Sequence, residues 1–300
     1  MEAFTPAAER RIEVGRAELD RRSLSEQSFR EAALLLHTRG YVILRGAIPP
    51  AAAAQAAEEF RRVFADCVAS KDGDAWYQVG RETGAVFWER NHRWRIFPKL
   101  RGPLASPWVV ANPLALELLR STLGHDLRCK FVSSDTCLRG ATVQAPHREL
   151  GAGETWEPRA YVVNVPLGPC GLDNGPIEVW YGGSHLWRND VLAPLGFNDD
   201  VQDGTNAAAE GLAAALPSRR LELELGDVVI RDPGLLHRGT VNHTPTPRSM
   251  LTACFFRRGA DHSYGEAAYS LDRELWESLE PEVRGLFGHA FSSAEPAGQQ

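Results

Sequence analysis

Long apolar runs are missing from this 300-residue chain. A membrane-spanning helix needs ~20 consecutive, mostly apolar residues, and no stretch approaches that, so no membrane partner is expected. Cysteines are few and show no pairing pattern. The five (Cys67, Cys129, Cys137, Cys170 and Cys254) are odd in number, scattered and free of any Cys-x-x-Cys pair. That argues against a disulfide framework or a zinc cluster and for reduced thiols in a cytoplasm. A basic excess is lacking too. The formal net charge is -6, whereas nucleic-acid binders carry a basic patch or stripe. The opening Met1-Glu2-Ala3-Phe4-Thr5-Pro6, followed by Glu9-Arg10-Arg11, has no apolar signal-peptide core. With 43% hydrophobic and 24% charged residues, the composition is that of an ordinary globular protein. No repeat or linker interrupts it, so the expectation is one cytoplasmic domain over 1–290 with a disordered tail at 291–300.

The N-terminal part, 7–125, reads as helical. Residues 7–39 suit a helix, with Ser25 as N-cap before Glu26. Tyr41 to Gly46 suits a short buried strand. Pro49-Pro50 opens a helix over 51–69, since proline is tolerated in a first turn; its Phe60, Val63 and Phe64 form a core stripe. A short helix at 113–123 closes near Gly124. Between these helices, 70–107 loses regularity and alternates charges with aromatics. Such a stretch is either a lid or binding loop or a surface excursion whose aromatics pack down on the core. Its Trp88, Arg90, His92 and Trp94, with Trp156 further on, are the candidate substrate contacts. The basic cluster of Arg90, His92, Arg93 and Arg95 suits an acidic substrate or a solvated face.

Strand-like segments fill the second half, at 127–135, 141–149, 159–166, 176–181, 219–225, 227–231, 235–240 and 248–257. About eight short strands with Gly and Pro turns predict a mainly β protein with flanking helices, its core a jelly roll over 127–257. An insertion at 192–217 is partly helical across 206–216 and carries an acidic lip at Asp199, Asp200 and Asp203. Leu271, Leu275, Trp276, Leu279 and Val283 share one helical face, which predicts a single C-terminal helix over 265–289.

The chemistry concentrates in Gln144-Ala145-Pro146-His147-Arg148-Glu149. In a strand, His147 and Glu149 at i and i+2 project to one side. An imidazole and a carboxylate side by side are two of the three ligands of a 2-His-1-carboxylate iron site. The pair equally describes a surface histidine beside a solvated glutamate, unless the chain supplies a third ligand and an anion anchor.

Downstream stand Gly226-Asp227-Val228-Val229-Ile230, Asp232-Pro233-Gly234-Leu235-Leu236-His237-Arg238-Gly239, Asn242 and Arg248. With Gln144-x-x-His147-x-Glu149, Asn174-Gly175-Pro176, Gly182-Gly183-Ser184-His185 and the opening Gly40-Tyr41-Val42-Ile43-Leu44-Arg45-Gly46, this resembles the phytanoyl-CoA dioxygenase family over residues 38–257. The resemblance implies a double-stranded β-helix, Fe(II) held by His147 and His237, and 2-oxoglutarate whose C5 carboxylate pairs with Arg248. Gln144 matches a glutamine placed before the metal motif, and Ser134 and Thr142 are alternative second anchors. The family usually writes His-x-Asp where this chain has His147-x-Glu149, so the third ligand carries one extra methylene. Retaining a carboxylate counts against halogenation, in which chloride takes the vacated place.

The implied activity is O2-dependent oxidation, by default hydroxylation, of a small organic molecule in secondary metabolism. Desaturation, cyclisation and epimerisation would share its first half. A divalent-metal hydrolase or a metal-free binding barrel stays open. If His237 and Arg248 lie on two arms of a hairpin, its centre falls between Asn242 and His243, within the turn-prone 242–247, and Arg248 would face His237. Other polar residues read as structural. His185 holds a loop, His243 faces solvent, Asp232 forms a turn, Arg148, Arg231 and Arg238 are outer-face charges, and Trp180 and Trp187 pack in the core or at the rim.

Overall fold

The computed structural model describes residues 9–150, 158–197, 206–260 and 266–291. Trp156, the acidic positions Asp199, Asp200 and Asp203, and residues 292–300 lie outside these. The strands are β1 (Ile12–Glu13), β2 (Tyr41–Arg45), β3 (Gln78–Val79), β4 (Val86–Arg90), β5 (Arg93–Phe97), β6 (Leu127–Cys137), β7 (Ala160–Pro166), β8 (Ile177–Trp180), β9 (Ser218–Arg220), β10 (Val228–Arg231), β11 (His237–Gly239) and β12 (Arg248–Arg257). Nine form a large sheet in the order β1-β2-β10-β7-β12-β6-β5-β4-β3, and three form a small one, β11-β8-β9.

Alternation along the strands sorts side chains into two cores. Tyr41, Ile43, Val229 and Met250 pack inward against Ile177, Val179, Leu221 and Leu223 of the smaller layer. Their neighbours Val42, Leu44, Val228 and Ile230 face the other way, onto Leu36, Phe60, Leu114 and Leu118 of the helices. A sheet covered on both faces calls for near-continuous apolar strands, and every residue of β7 is buried. The result is the expected jelly roll with flanking helices, the helices lying outside the large sheet. Among the described residues no helix is long and apolar enough to cross a membrane.

Several local expectations are corrected. Of the predicted helix at 7–39, the described part, 9–39, forms β1 and two helices, Arg16–Arg21 and Glu26–Arg39, because Gly15 and the left-handed Arg22 (φ 57°) break the run; Ser25 does cap the second, accepting from the Ser28 N–H. The stretch 70–107 is no irregular lid. It contains the β4–β5 hairpin, which extends the large sheet beside β6. Asn91 and His92, with φ of 52° and 61°, make its two-residue turn, and positive φ at both central positions is what such a tight hairpin requires.

The predicted strand at 141–149 is an extended segment with one bridge, His147 to His237, while strand 219–225 shortens to β9 and 235–240 to β11. The C-terminal helix is four short ones, Ala267–Ser270, Arg273–Ser278, Pro281–Leu286 and Gly288–Phe291. Asp272 caps the second through the Leu275 N–H, and Pro281 can only start a new helix. Strand β11 belongs to the small sheet and β12 to the large, so they are not arms of one hairpin. Asn242 holds the crossing between them: its Nδ2 donates to the carbonyls of Cys137 and Thr246, and its Oδ1 accepts from the Thr244 N–H and hydroxyl.

Asp66 anchors the entry to the hairpin. Its carboxylate accepts from the backbone N–H groups of Glu82 and Thr83 and from the hydroxyls of Thr83 and Ser70. Burial alone would raise its pKa, but these hydrogen bonds outweigh burial and hold it below the ordinary value. A carboxyl with a depressed folded pKa stabilises fully above its unfolded pKa, ~3.9, and loses that contribution as pH falls through the folded one. Asp66→Ala is therefore expected to cost about 2 kcal/mol at pH 7, from the stranded donors. In thermal melts of wild type and variant, the gap should narrow below about pH 4; a gap independent of pH would show that the charge is not what matters.

Candidate metal centre

The site is built on one backbone exchange. The His147 N–H donates to the His237 carbonyl at 2.9 Å, and the His237 N–H returns to the His147 carbonyl at 3.0 Å. This bridge sets the two imidazoles side by side, ring centroids 4.5 Å apart. The turn before β11 fixes where His237 enters: Asp232 Oδ1 accepts from the Gly234 N–H, as a turn former does, and Leu235 and Leu236 are fully buried. Two residues on, the Glu149 N–H donates to the Pro233 carbonyl, keeping the segment extended and returning Glu149 to the histidine side.

Both rings are oriented by backbone. Nδ1 of His147 lies 2.9 Å from the Ala145 carbonyl, and Nδ1 of His237 lies 2.8 Å from the Leu235 carbonyl. A carbonyl only accepts, so each Nδ1 carries the proton and each Nε2 presents a lone pair. His237 Nε2 then faces Glu149 Oε1 at 3.3 Å. Two acceptors aimed at each other need a cation between them. A proton does not serve at neutral pH, because burial, with the Arg231 charge beside it, pushes the His237 imidazolium pKa down to about 4. Glu149 is ionised there. Burial opposes its charge, but the adjacent Arg231 guanidinium favours it, and its pKa is held below the usual carboxylate range.

Ligand atoms of His147, Glu149 and His237 all lie within 4.8 Å of one another. The donor set therefore fits a divalent metal of the kind two imidazoles and a carboxylate select. The extra methylene of Glu149 does not carry its carboxylate away from the imidazoles.

These groups open on a cavity of about 340 Å³ between the two sheets. Trp88, Arg90 and Trp94 line it, as do Gln144 and Ser134. His92 does not; it is exposed in its turn, with its ring against Gly140. Gln144 is doubly tied to Gly239, donating from its backbone to the Gly239 carbonyl and accepting the Gly239 N–H on Oε1 at 2.9 Å. Trp180 is buried in a side cluster and Trp187 packs against it, neither among the cavity walls. Thr142 offers a carbonyl to Arg93 rather than a side chain to the cavity.

Arg248 is not itself a wall of the cavity; it sits behind Asp135, which is, and does not face His237 across a strand pair. Its Nε donates to the Gly175 carbonyl at 2.8 Å, and its Nη1 to the Asp135 carboxylate at 2.9 Å; Nη2, buried, has no partner among the described residues. Gly175 reaches this position at φ 83°, where a Cβ would stand 3.0 Å from Cys137 Sγ and 3.2 Å from the Thr240 carbonyl, so no other residue fits. Asp135, lining the cavity in front of Arg248, is held below the ordinary carboxylate range: burial would raise it, and the charges of Arg248 and Arg93 override that.

Of the three arginines read as outer-face charges, Arg148 and Arg238 do point away from the cavity but are covered by other side chains, and Arg231 points into it. Arg148 is 2% exposed and donates to the Trp187 carbonyl and Asn189 Oδ1, its guanidinium over the Phe197 ring. Arg238 is half-buried, paired with Glu178 over Trp180. Arg231, 5% exposed, reaches Glu149. The helpers that sequence patterning missed are Asp135, Asn164 and Arg231; an arginine at an inward strand position, two residues after the buried Val229, was the available signal. His185 is structural as expected, its Nε2 bonded to the His37 carbonyl under Gly40, and His243 is exposed.

Comparison with known proteins matches residues 36–250 to the family described as phytanoyl-CoA dioxygenase (PhyH). Among solved structures, the chain is similar to the non-heme alpha ketoglutarate dependent epimerase SnoN from nogalamycin biosynthesis. Identity is 17% and the TM-score 0.55, over 83% of this chain and 92% of that one. It is also similar to EctD from S. alaskensis with bound Fe (18%, 0.57, 83% and 82%). AviO1 from Streptomyces viridochromogenes Tue57 gives 17%, 0.54, 80% and 99%. At these identities the structural likenesses establish the fold.

Proposed function

The chain belongs to the phytanoyl-CoA dioxygenase family, an Fe(II)- and 2-oxoglutarate-dependent enzyme group, and from that premise we propose that it hydroxylates a small organic molecule in secondary metabolism. His147, Glu149 and His237 hold the iron in this reading, and Arg248, with Gln144 nearby, holds the far carboxylate of 2-oxoglutarate. The observation that carries it is the convergence of two lone-pair donors, His237 Nε2 and Glu149 Oε1, at 3.3 Å with both Nδ1 protons committed to carbonyls.

When bound, ferrous iron and 2-oxoglutarate supply O2-dependent oxidation coupled to decarboxylation of the co-substrate to succinate. The protein's own contribution is orientation. The carbonyls of Ala145 and Leu235 fix both ring tautomers, the His147–His237 backbone bridge fixes their spacing, and Arg248, with Nε and Nη1 held by Gly175 and Asp135, keeps its charge and Nη2 for a carboxylate. Trp88, Trp94, Phe131 and Phe256 give the cavity apolar walls suited to an organic substrate. Five buried thiols without disulfide partners and the acidic net charge support a cytoplasmic setting without nucleic-acid partners.

The test is to load the protein anaerobically with Fe(II) and 2-oxoglutarate, record the weak visible absorption of their complex, then admit O2 and measure succinate. Absorption and succinate are both expected. Absence of both at saturating ligand would leave a hydrolase or a metal-free binding barrel. Product mass separates hydroxylation, which adds one oxygen, from epimerisation, desaturation and cyclisation, which do not.

A further inference from the structure

Arg231 is an unexpected neighbour for a metal ligand, since its charge repels the cation the ligand should hold. It ends β10, 5% exposed, and its Nη2 lies 3.4 Å from Glu149 Oε1. Its Nε donates to Asn164 Oδ1 at 3.2 Å, and Asn164 Nδ2 donates in turn to Thr252 Oγ1 at 2.9 Å. The three residues stand on β10, β7 and β12, adjacent strands of the large sheet, and all face inward: Val229, two before Arg231, pairs with Asn164, and Asn164 pairs with Thr252. A polar chain thus runs across three strands and ends on the carboxylate, which arrives from the opposite side of the cavity.

We propose that Arg231 is a positioning residue: braced by Asn164 and Thr252, it holds the Glu149 carboxylate toward His147 and His237. This rests on the metal-site reading of those three ligands. A glutamate has one more rotatable bond than the aspartate usual in the family, and its carboxylate has open cavity in front of it. Without a second tie it would swing. The arginine gives that tie from a strand that cannot move independently of the sheet. Outer hydrogen-bond partners of ligands commonly orient them in this way. The sign of the effect separates this role from plain electrostatics. As a point charge, Arg231 opposes a divalent cation, and removing it would tighten metal binding. As a brace, removing it weakens metal binding.

The experiment measures Co(II) affinity of the metal-free full-length protein by calorimetry and visible spectrum, with a thermal melt of each variant as folding control. Arg231→Met is expected to raise the Co(II) Kd ~10–100-fold, the usual consequence of losing an outer partner, and to alter the Co(II) visible bands. In a Glu149→Ala background the same change should have no weakening effect. Arg231→Lys, which keeps the charge but not the fork, should still weaken binding and carries the test if the Met variant does not fold. Unchanged or tighter Co(II) binding in either variant, or equal weakening with and without Glu149, overturns the proposal. Failure of the wild type to bind Co(II) overturns the metal-site reading instead.

Discussion

Replacing His237 with alanine is expected to abolish metal-dependent turnover while leaving the fold in place. The imidazole would contribute its Nε2 lone pair to the site, and among the described residues lining the cavity the only other imidazole is His147. The backbone bridge to His147 uses only main-chain atoms of residue 237 and survives the substitution. The loss in iron or Co(II) affinity should exceed the ~100-fold that removal of a mere outer partner can cost, and 2-oxoglutarate-dependent succinate should fall with it. His147→Ala should behave alike. Glu149→Asp is the informative companion, because it restores the usual family ligand but shortens the reach to Arg231. Metal titration and succinate assays on the same samples check all three. A His237→Ala protein that melts normally and turns over normally would place the metal elsewhere.

Arg248→Ala should separate the two cofactors. Charge-assisted hydrogen bonds contribute ~1.5–3 kcal/mol, so losing the charge and the Nη2 donor should weaken 2-oxoglutarate ~10–100-fold at 1.4 kcal/mol per decade, with metal affinity changed only a few-fold. The variant also strands Asp135. Removing one partner of a fully buried pair costs ~3–5 kcal/mol, but the Asp135 side chain is 44% exposed and Arg93 remains near, so about 2 kcal/mol is expected. Arg248→Lys should lie between wild type and alanine. Calorimetry with 2-oxoglutarate on Co(II)-loaded protein, beside a melt, tests this. Equal loss of metal and co-substrate binding would show a structural rather than an anchoring role for Arg248.

The pocket is more heavily charged than one arginine and one co-substrate would need. Arg93 is buried, and its Nη2 is spent on the carbonyls of Thr142 and Thr240. A Cβ on Gly239 would stand 2.6 Å from its Nη1 and 2.7 Å from Gln144 Oε1, so the glycine leaves room for both heads. Such an arrangement was only partly legible. Arg93 stood out as one of a basic cluster, but its neighbours diverge: Arg90 lines the cavity, and His92 turns away from it.

What the chain's order of residues settles is local. That β2, β7 and β10 are buried strands follows from their near-continuous apolar runs, and the three candidate ligands follow from two short motifs through the family resemblance. The two prolines of 242–247 likewise announce a break, although not that the chain there crosses between sheets. What the tertiary structure alone decides is which partner each buried charge meets. Arg231 and Glu149 are 82 residues apart, and Arg248 and Asp135 are 113 apart. A strand pattern states that a side chain points inward, but an inward arginine is favourable only if a distant strand brings it an acceptor. That pairing depends on sheet order and register, which no local pattern encodes, and here it determines how Glu149 is held.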